Sequence, residues 1–89
     1  MSTAVYHYGP GVDALRRELR KAEAFFVAGI ARIVGDVSRL SPGDEDFDYF
    51  IPMPASRLDD LSLQICDLEL QVQEQFGFSL TAMPIPYAD

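Results

Sequence analysis

Asp44, Glu45, Asp46 and Asp48 form the carboxylate cluster of this chain. In an extended segment Asp46 and Asp48 fall on one face, two residues apart. Such a pair can hold Mg²⁺ together with substrate phosphates, so Asp46 and Asp48 are the candidate metal ligands. A solvated acidic loop is the competing reading. The second charged group is basic: Arg16, Arg17, Arg20 and Lys21 lie within six positions and form a candidate anion-binding set. A helix N-terminus disfavours cations, so an acidic surface alongside would explain the patch; a solvated helix face is the alternative. Tyr6-His7-Tyr8-Gly9-Pro10-Gly11 runs from a candidate strand into a candidate helix, where backbone amides can bind an anion. Neither the dinucleotide fingerprint nor the Gly-Lys-Ser/Thr of a phosphate loop is present, so a turn is expected. His7 is the single histidine. No nucleophile pairs with it by sequence, and no catalytic residue is assigned. Cys66, flanked by Leu63 and Leu70 on a helical pattern, reads as a small buried hydrophobe.

One longer pattern includes the acidic pair. Gly35-Asp36, followed after nine residues by Asp46-Phe47-Asp48-Tyr49-Phe50-Ile51, resembles the Gly-Ser … Asp-x-Asp pattern of minimal nucleotidyltransferase domains. The resemblance covers about half the chain, including a βαβ-like tail at residues 57–83. It implies metal binding by Asp46 and Asp48. The chain departs from that pattern at Asp36, which stands where the family has Ser, and in residues 78–83, which supply no third carboxylate. The resemblance also requires a strand just before Gly35, where the sequence keeps a helical period.

The elements that must position these residues belong to a small chain. Its 89 residues carry 14 acidic and 7 basic side chains, a net charge of −7, with 48% hydrophobic and 24% charged residues. That is a globular composition, and the length sets one domain, residues 1–89. The charge argues against nucleic acid and anionic membranes as general partners. A single cysteine can form neither an intrachain disulfide nor a thiolate metal site, which fits a reducing compartment. No basic segment precedes an apolar run at the start, and the longest apolar run, residues 24–31, is far below the roughly 20 residues that span a bilayer. A soluble cytoplasmic protein is expected.

Periodicity predicts the order β-α-β-α-β, an α+β fold with two amphipathic helices on a small three-stranded sheet. Residues 1–8 read as a short strand or arm. Val12, Leu15, Leu19, Ala22, Phe26, Ile30, Ile33, Val37 and Leu40 recur at steps of three and four, the signature of a helix over residues 12–40. Unbroken, it would measure about 29 residues and roughly 43 Å, against a diameter near 31 Å for a compact chain of this size. It must therefore break, with Gly29 or Gly35 as weak points, or project towards a partner. Residues 47–51 read as a strand whose end, at Pro52 and Pro54, lies at a sheet edge. Ser56-Arg57-Leu58-Asp59 approximates a capping box for a second helix ending before Gly77. Residues 78–83 read as the last strand, closed by Pro84 and Pro86. Residues 47–83 make a βαβ candidate with parallel strands.

The second helix shows two apolar stripes. Leu58, Leu61, Ile65, Leu68, Val72 and Phe76 form one; Leu63, Cys66 and Leu70 lie almost opposite, and Asp60, Asp67 and Glu74 run between them at heptad spacing. The second stripe faces either the first helix or another subunit. Roughly antiparallel helix packing is expected, with Arg17, Lys21, Arg32 and Arg39 available to the acidic line. Leu63, Cys66, Leu70, Phe25, Phe26, Ile30 and Ile33 are the candidate interface residues. The leading expectation is a non-enzymatic, acidic protein-interaction module (adaptor, inhibitor or chaperone-like) that forms a homodimer through its helices and needs no cofactor. The alternatives are a degenerate nucleotidyltransferase-like domain using Asp46 and Asp48, and a small-ligand sensor with an apolar pocket between sheet and helices.

Overall fold

A computed structural model describes residues 10–89. Its order is α1 (Pro10–Val34), β1 (Ser41–Pro42), β2 (Tyr49–Pro54), α2 (Leu58–Phe76) and β3 (Ala82–Tyr87), with a 3₁₀ turn at Ala55–Arg57 before α2. The fold is α+β: two helices packed with a three-stranded mixed sheet. The expected strand at residues 1–8, and His7 with it, lie outside the described residues. In sheet order β1-β2-β3, β1 and β2 are antiparallel and β2 and β3 parallel. The βαβ expectation therefore holds, with its strands displaced by several residues.

Helix α1 starts at Pro10, two residues before the periodic pattern. Proline suits a first helical position because its missing N–H has no intrahelical partner there. The helix runs unbroken through Gly29 and stops at Val34, not Leu40. Gly35 takes φ +84° and donates its amide to the Ala31 carbonyl at 2.9 Å, closing the last turn. Val37 and Leu40 keep the helical spacing only by coincidence; from an irregular turn they still pack against the core. Ser41–Pro42, expected to do no more than stop the helix, supplies the third strand.

The strand ends also need correction. Both strands of the parallel pair run through their prolines, Pro52 and Pro54 in β2 and Pro84 and Pro86 in β3. The ladder opens with the Tyr49 amide donating to the Thr81 carbonyl at 3.2 Å. Donors facing the neighbour alternate along a strand, so Ile51 and Met53 donate to β3 while Pro52 and Pro54 point their nitrogens away. The same register makes Ile85 and Tyr87 the donors of β3 and turns Pro84 and Pro86 outward. No ladder bond is lost to proline. Strand β1 covers only Tyr49 and Phe50, so the proline part of β2 is an edge, as expected, even though β2 lies centrally in the sheet.

The capping box at Ser56 is not made. The hydroxyl and amide of Ser56 both donate to the Asp89 carboxylate, and the helix starts at Leu58 without a side-chain cap. Asp59 and Asp60 in the first turn favour the positive end of the helix dipole. Gly77 ends α2 in the left-handed conformation, as expected.

One core joins the layers. It is built from Ala22, Phe26 and Ile30 of α1, Ile51 and Met53 of β2, Leu61, Ile65, Leu68 and Val72 of α2, and Leu80 and Ala82. The helices run antiparallel: Phe25 meets Phe76 with ring centroids 5.4 Å apart, and Gly29, the next turn of α1, meets Leu68, two turns back along α2. Among the described residues before Ala22 only Leu19 touches the core, at its margin, so the first three turns of α1 project. The described residues extend 55 × 23 × 19 Å with a radius of gyration of 15.6 Å, well above the roughly 12 Å of a compact chain.

Candidate interaction surfaces

Helix α2 resolves its two stripes differently. Leu61, Ile65, Leu68 and Val72 are buried, with Leu58 and Phe76 packed at the margin. Leu63, Cys66 and Leu70 face solvent: Leu63 is 69% and Leu70 58% exposed, and Cys66 is an exposed free thiol. Burial of this stripe against α1 is thus excluded within one chain, because α1 occupies the other side of α2. The expectation that Cys66 is a buried hydrophobe is corrected with it. Beside the stripe, Asp59, Ser62, Leu63 and Cys66 line an open depression of about 350 Å³.

The candidate interface residues of α1 separate too. Phe26 and Ile30 have no exposed surface. They are core residues, and the folded chain cannot offer them to a partner. Phe25 is half-buried against Phe76, and Ile33 packs at the core margin. The projecting turns carry a different apolar line, in which Leu15 is 62% exposed, Val12 is half-buried and Leu19 packs at the core margin.

Arg16, Arg17, Arg20 and Lys21 all lie on these projecting turns and are exposed. Lys21 pairs with Glu18 at 3.0 Å. Among the described residues the expected ion pairs between α1 and the acidic line of α2 are not formed. Asp60 instead takes Arg57 from the 3₁₀ turn before its helix and the Gln64 amide, and these bonds hold its carboxyl below the usual range. Arg39 leaves the helix and sits over the Tyr87 ring, 6.0 Å from its centroid.

Two carboxylates of the acidic cluster, Asp44 and Asp48, make structural hydrogen bonds, and the Asp46 carboxylate accepts none among the described residues. Asp44 accepts the amides of Asp46 and Phe47 and folds the β1–β2 turn. The Asp48 carboxylate accepts the Thr81 amide at 2.9 Å and the Thr81 hydroxyl at 3.3 Å, tying that turn to the start of β3. Among the described residues no group of three His, Cys, Asp or Glu side chains could hold a metal ion. Residues 30–34 are helical, so the strand that the nucleotidyltransferase pattern requires before Gly35 is missing. The space between sheet and helices, where a sensor would place its ligand, is filled by Phe26, Ile51, Met53, Ile65 and Val72.

Two features were not anticipated from sequence. Glu69 reaches from α2 to accept the Ala82 amide at 2.8 Å. That amide faces the outer edge of β3, so with Pro84 and Pro86 beside it no donor points outward along the edge. The second feature is the outer sheet face, where Met83, Ile85 and Tyr87 stand 40–42% exposed. At one end of this face Val34, Asp36, Arg39, Pro52, Pro54 and Tyr87 line a cavity of about 200 Å³. The alternate prolines were the available signal for the blocked edges; nothing local marks the Glu69 bond.

Among the described residues no helix is long and apolar enough to cross a membrane. No protein-family model matches this chain, and neither a curated protein nor a solved structure does.

Proposed function

We propose that this chain is a non-enzymatic protein-interaction module of the cytoplasm that self-associates through its helices and serves a protein partner as a small acidic adaptor, inhibitor or chaperone. The observation that carries the reading is the outward stripe of α2. Leu63 and Leu70 stand mostly exposed one heptad apart on the best-anchored helix, with Cys66 between them. Apolar surface in a line on a small domain marks an interaction face more often than chance exposure does. The blocked strand edges support side-chain docking over strand addition. The Thr81 bonds to the Asp48 carboxylate support a structural role for Asp48.

Size-exclusion chromatography with light scattering tests the proposal. The expected result is a species near twice the 9.9 kDa chain mass, converted to monomer by Leu63→Lys with Leu70→Lys. A 9.9 kDa species at high micromolar concentration removes self-association.

A further inference from the structure

We infer that the self-association surface is a reciprocal exchange, in which the projecting turns of α1 from one copy lie on the outer face of α2 in the other. The inference rests on the proposed self-association and specifies its geometry. Two apolar lines are open among the described residues: one centres on exposed Leu15, with Val12 half-buried and Leu19 against the core margin, and the other is the exposed stripe of α2. Val12, Leu15 and Leu19 follow steps of three and four, and so do Leu63, Cys66 and Leu70. Each spans seven residues, about 10.5 Å along a helix, so the side chains of one line can interleave with those of the other.

Charge selects this pairing over either line with itself. Helix α2 carries Asp59, Asp60, Asp67, Glu69 and Glu74 and no basic residue. The projecting turns carry Arg16, Arg17, Arg20 and Lys21, four of the seven basic residues in the chain. Placing α2 on α2 opposes acid with acid, and placing two basic segments together opposes base with base; like charges across an interface are penalised. Lys21 is paired with Glu18 in its own helix, and placing α1 on α2 sets the remaining arginines against the acids. It also explains why a chain of net charge −7 gathers its cations near a helix N-terminus, where the dipole opposes them. A two-fold pair makes the contact twice and leaves neither line exposed.

Charge reversal on each side, measured by sedimentation equilibrium at low and high salt, decides the matter. Arg16→Glu with Arg20→Glu is expected to weaken the dimer about tenfold or more, as is Asp67→Arg with Glu74→Arg. The four changes together should restore the dissociation constant to within about threefold of the original. All four substituted positions are exposed, so circular dichroism should show each variant folded. If the protein dimerises and the Arg16/Arg20 reversal leaves its affinity unchanged, the exchange is wrong while self-association through α2 stands. If both reversals weaken the dimer and their combination does not restore it, the pairing of these two surfaces is wrong. A wild-type monomer removes the proposed self-association and the exchange with it.

Discussion

Gly29 shows how closely single side chains are fitted here. A Cβ on this residue would stand 2.5 Å from Leu68 Cδ1 and 2.7 Å from Cδ2, so the helices cross where α1 has no side chain. Gly29→Val should lower stability by about 1–3 kcal/mol, the usual penalty of overpacking. Adding Leu68→Ala should recover part of that loss relative to the sum of the single changes, since the two positions share one space. Chemical denaturation of the four-member cycle measures it. Glu69 makes a second residue-scale case. Burial raises its carboxyl above the ordinary value of 4.5, while the Ala82 amide pulls the other way. The folded chain therefore holds this proton more tightly than the unfolded chain. The resulting stability is complete below the ordinary value and is lost as pH rises through the raised one. Glu69→Gln keeps a carbonyl for the Ala82 amide and removes the titration, so denaturation midpoints just above pH 4.5 should flatten with little change at pH 7. Glu69→Ala leaves a buried amide without its partner and should cost about 1–2 kcal/mol at neutral pH.

At the scale of elements, the parallel pair β2–β3 depends on where its prolines fall. Alternate positions, 52 and 54 against 84 and 86, put every missing donor on an outer edge. Pro84→Val with Pro86→Val would keep the ladder and add two outward N–H groups beside Met83 and Ile85. The expected outcome is little change in folding stability and increased concentration-dependent aggregation, read by light scattering, because an open apolar edge recruits further strands. The turn between β1 and β2 should discriminate its own carboxylates: Asp48→Ala is expected to lower stability by about 1 kcal/mol through the lost Thr81 bonds, whereas Asp46→Ala, exposed and accepting no bond among those described, should be silent.

At the scale of the whole molecule, the length of α1 exceeds what one small core can cover. Its last three and a half turns are clamped by α2 and the sheet, whereas among the described residues its first three touch the core only through Leu19. An isolated segment of that length is marginal in water. Amide exchange in residues 11–20 should therefore run about 100-fold or more faster than in residues 22–34 of a dilute sample, and should slow as concentration drives association. Hydrogen-exchange mass spectrometry over a concentration series reads both.

How far local pattern reaches can be judged from α2. Its buried stripe, its dipolar first turn and its end at Gly77 follow from residue spacing and from the backbone freedom of one glycine, because a helix is built from contacts three and four residues apart. The α+β class and the antiparallel helices follow from the same spacing. The end of α1 does not, since Val37 and Leu40 satisfy the period while Gly35 turns the chain. Likewise the strands extend through prolines that a local rule would exclude, because only the register decides which nitrogens face a neighbour. Distance in sequence hides the rest: Glu69 finds Ala82, Asp48 finds Thr81, and Ser56 finds Asp89 only once the sheet has closed. The same holds for the two stripes of α2. Spacing makes both visible, but which one meets solvent depends on the side from which α1 packs, and that is a property of the folded chain alone.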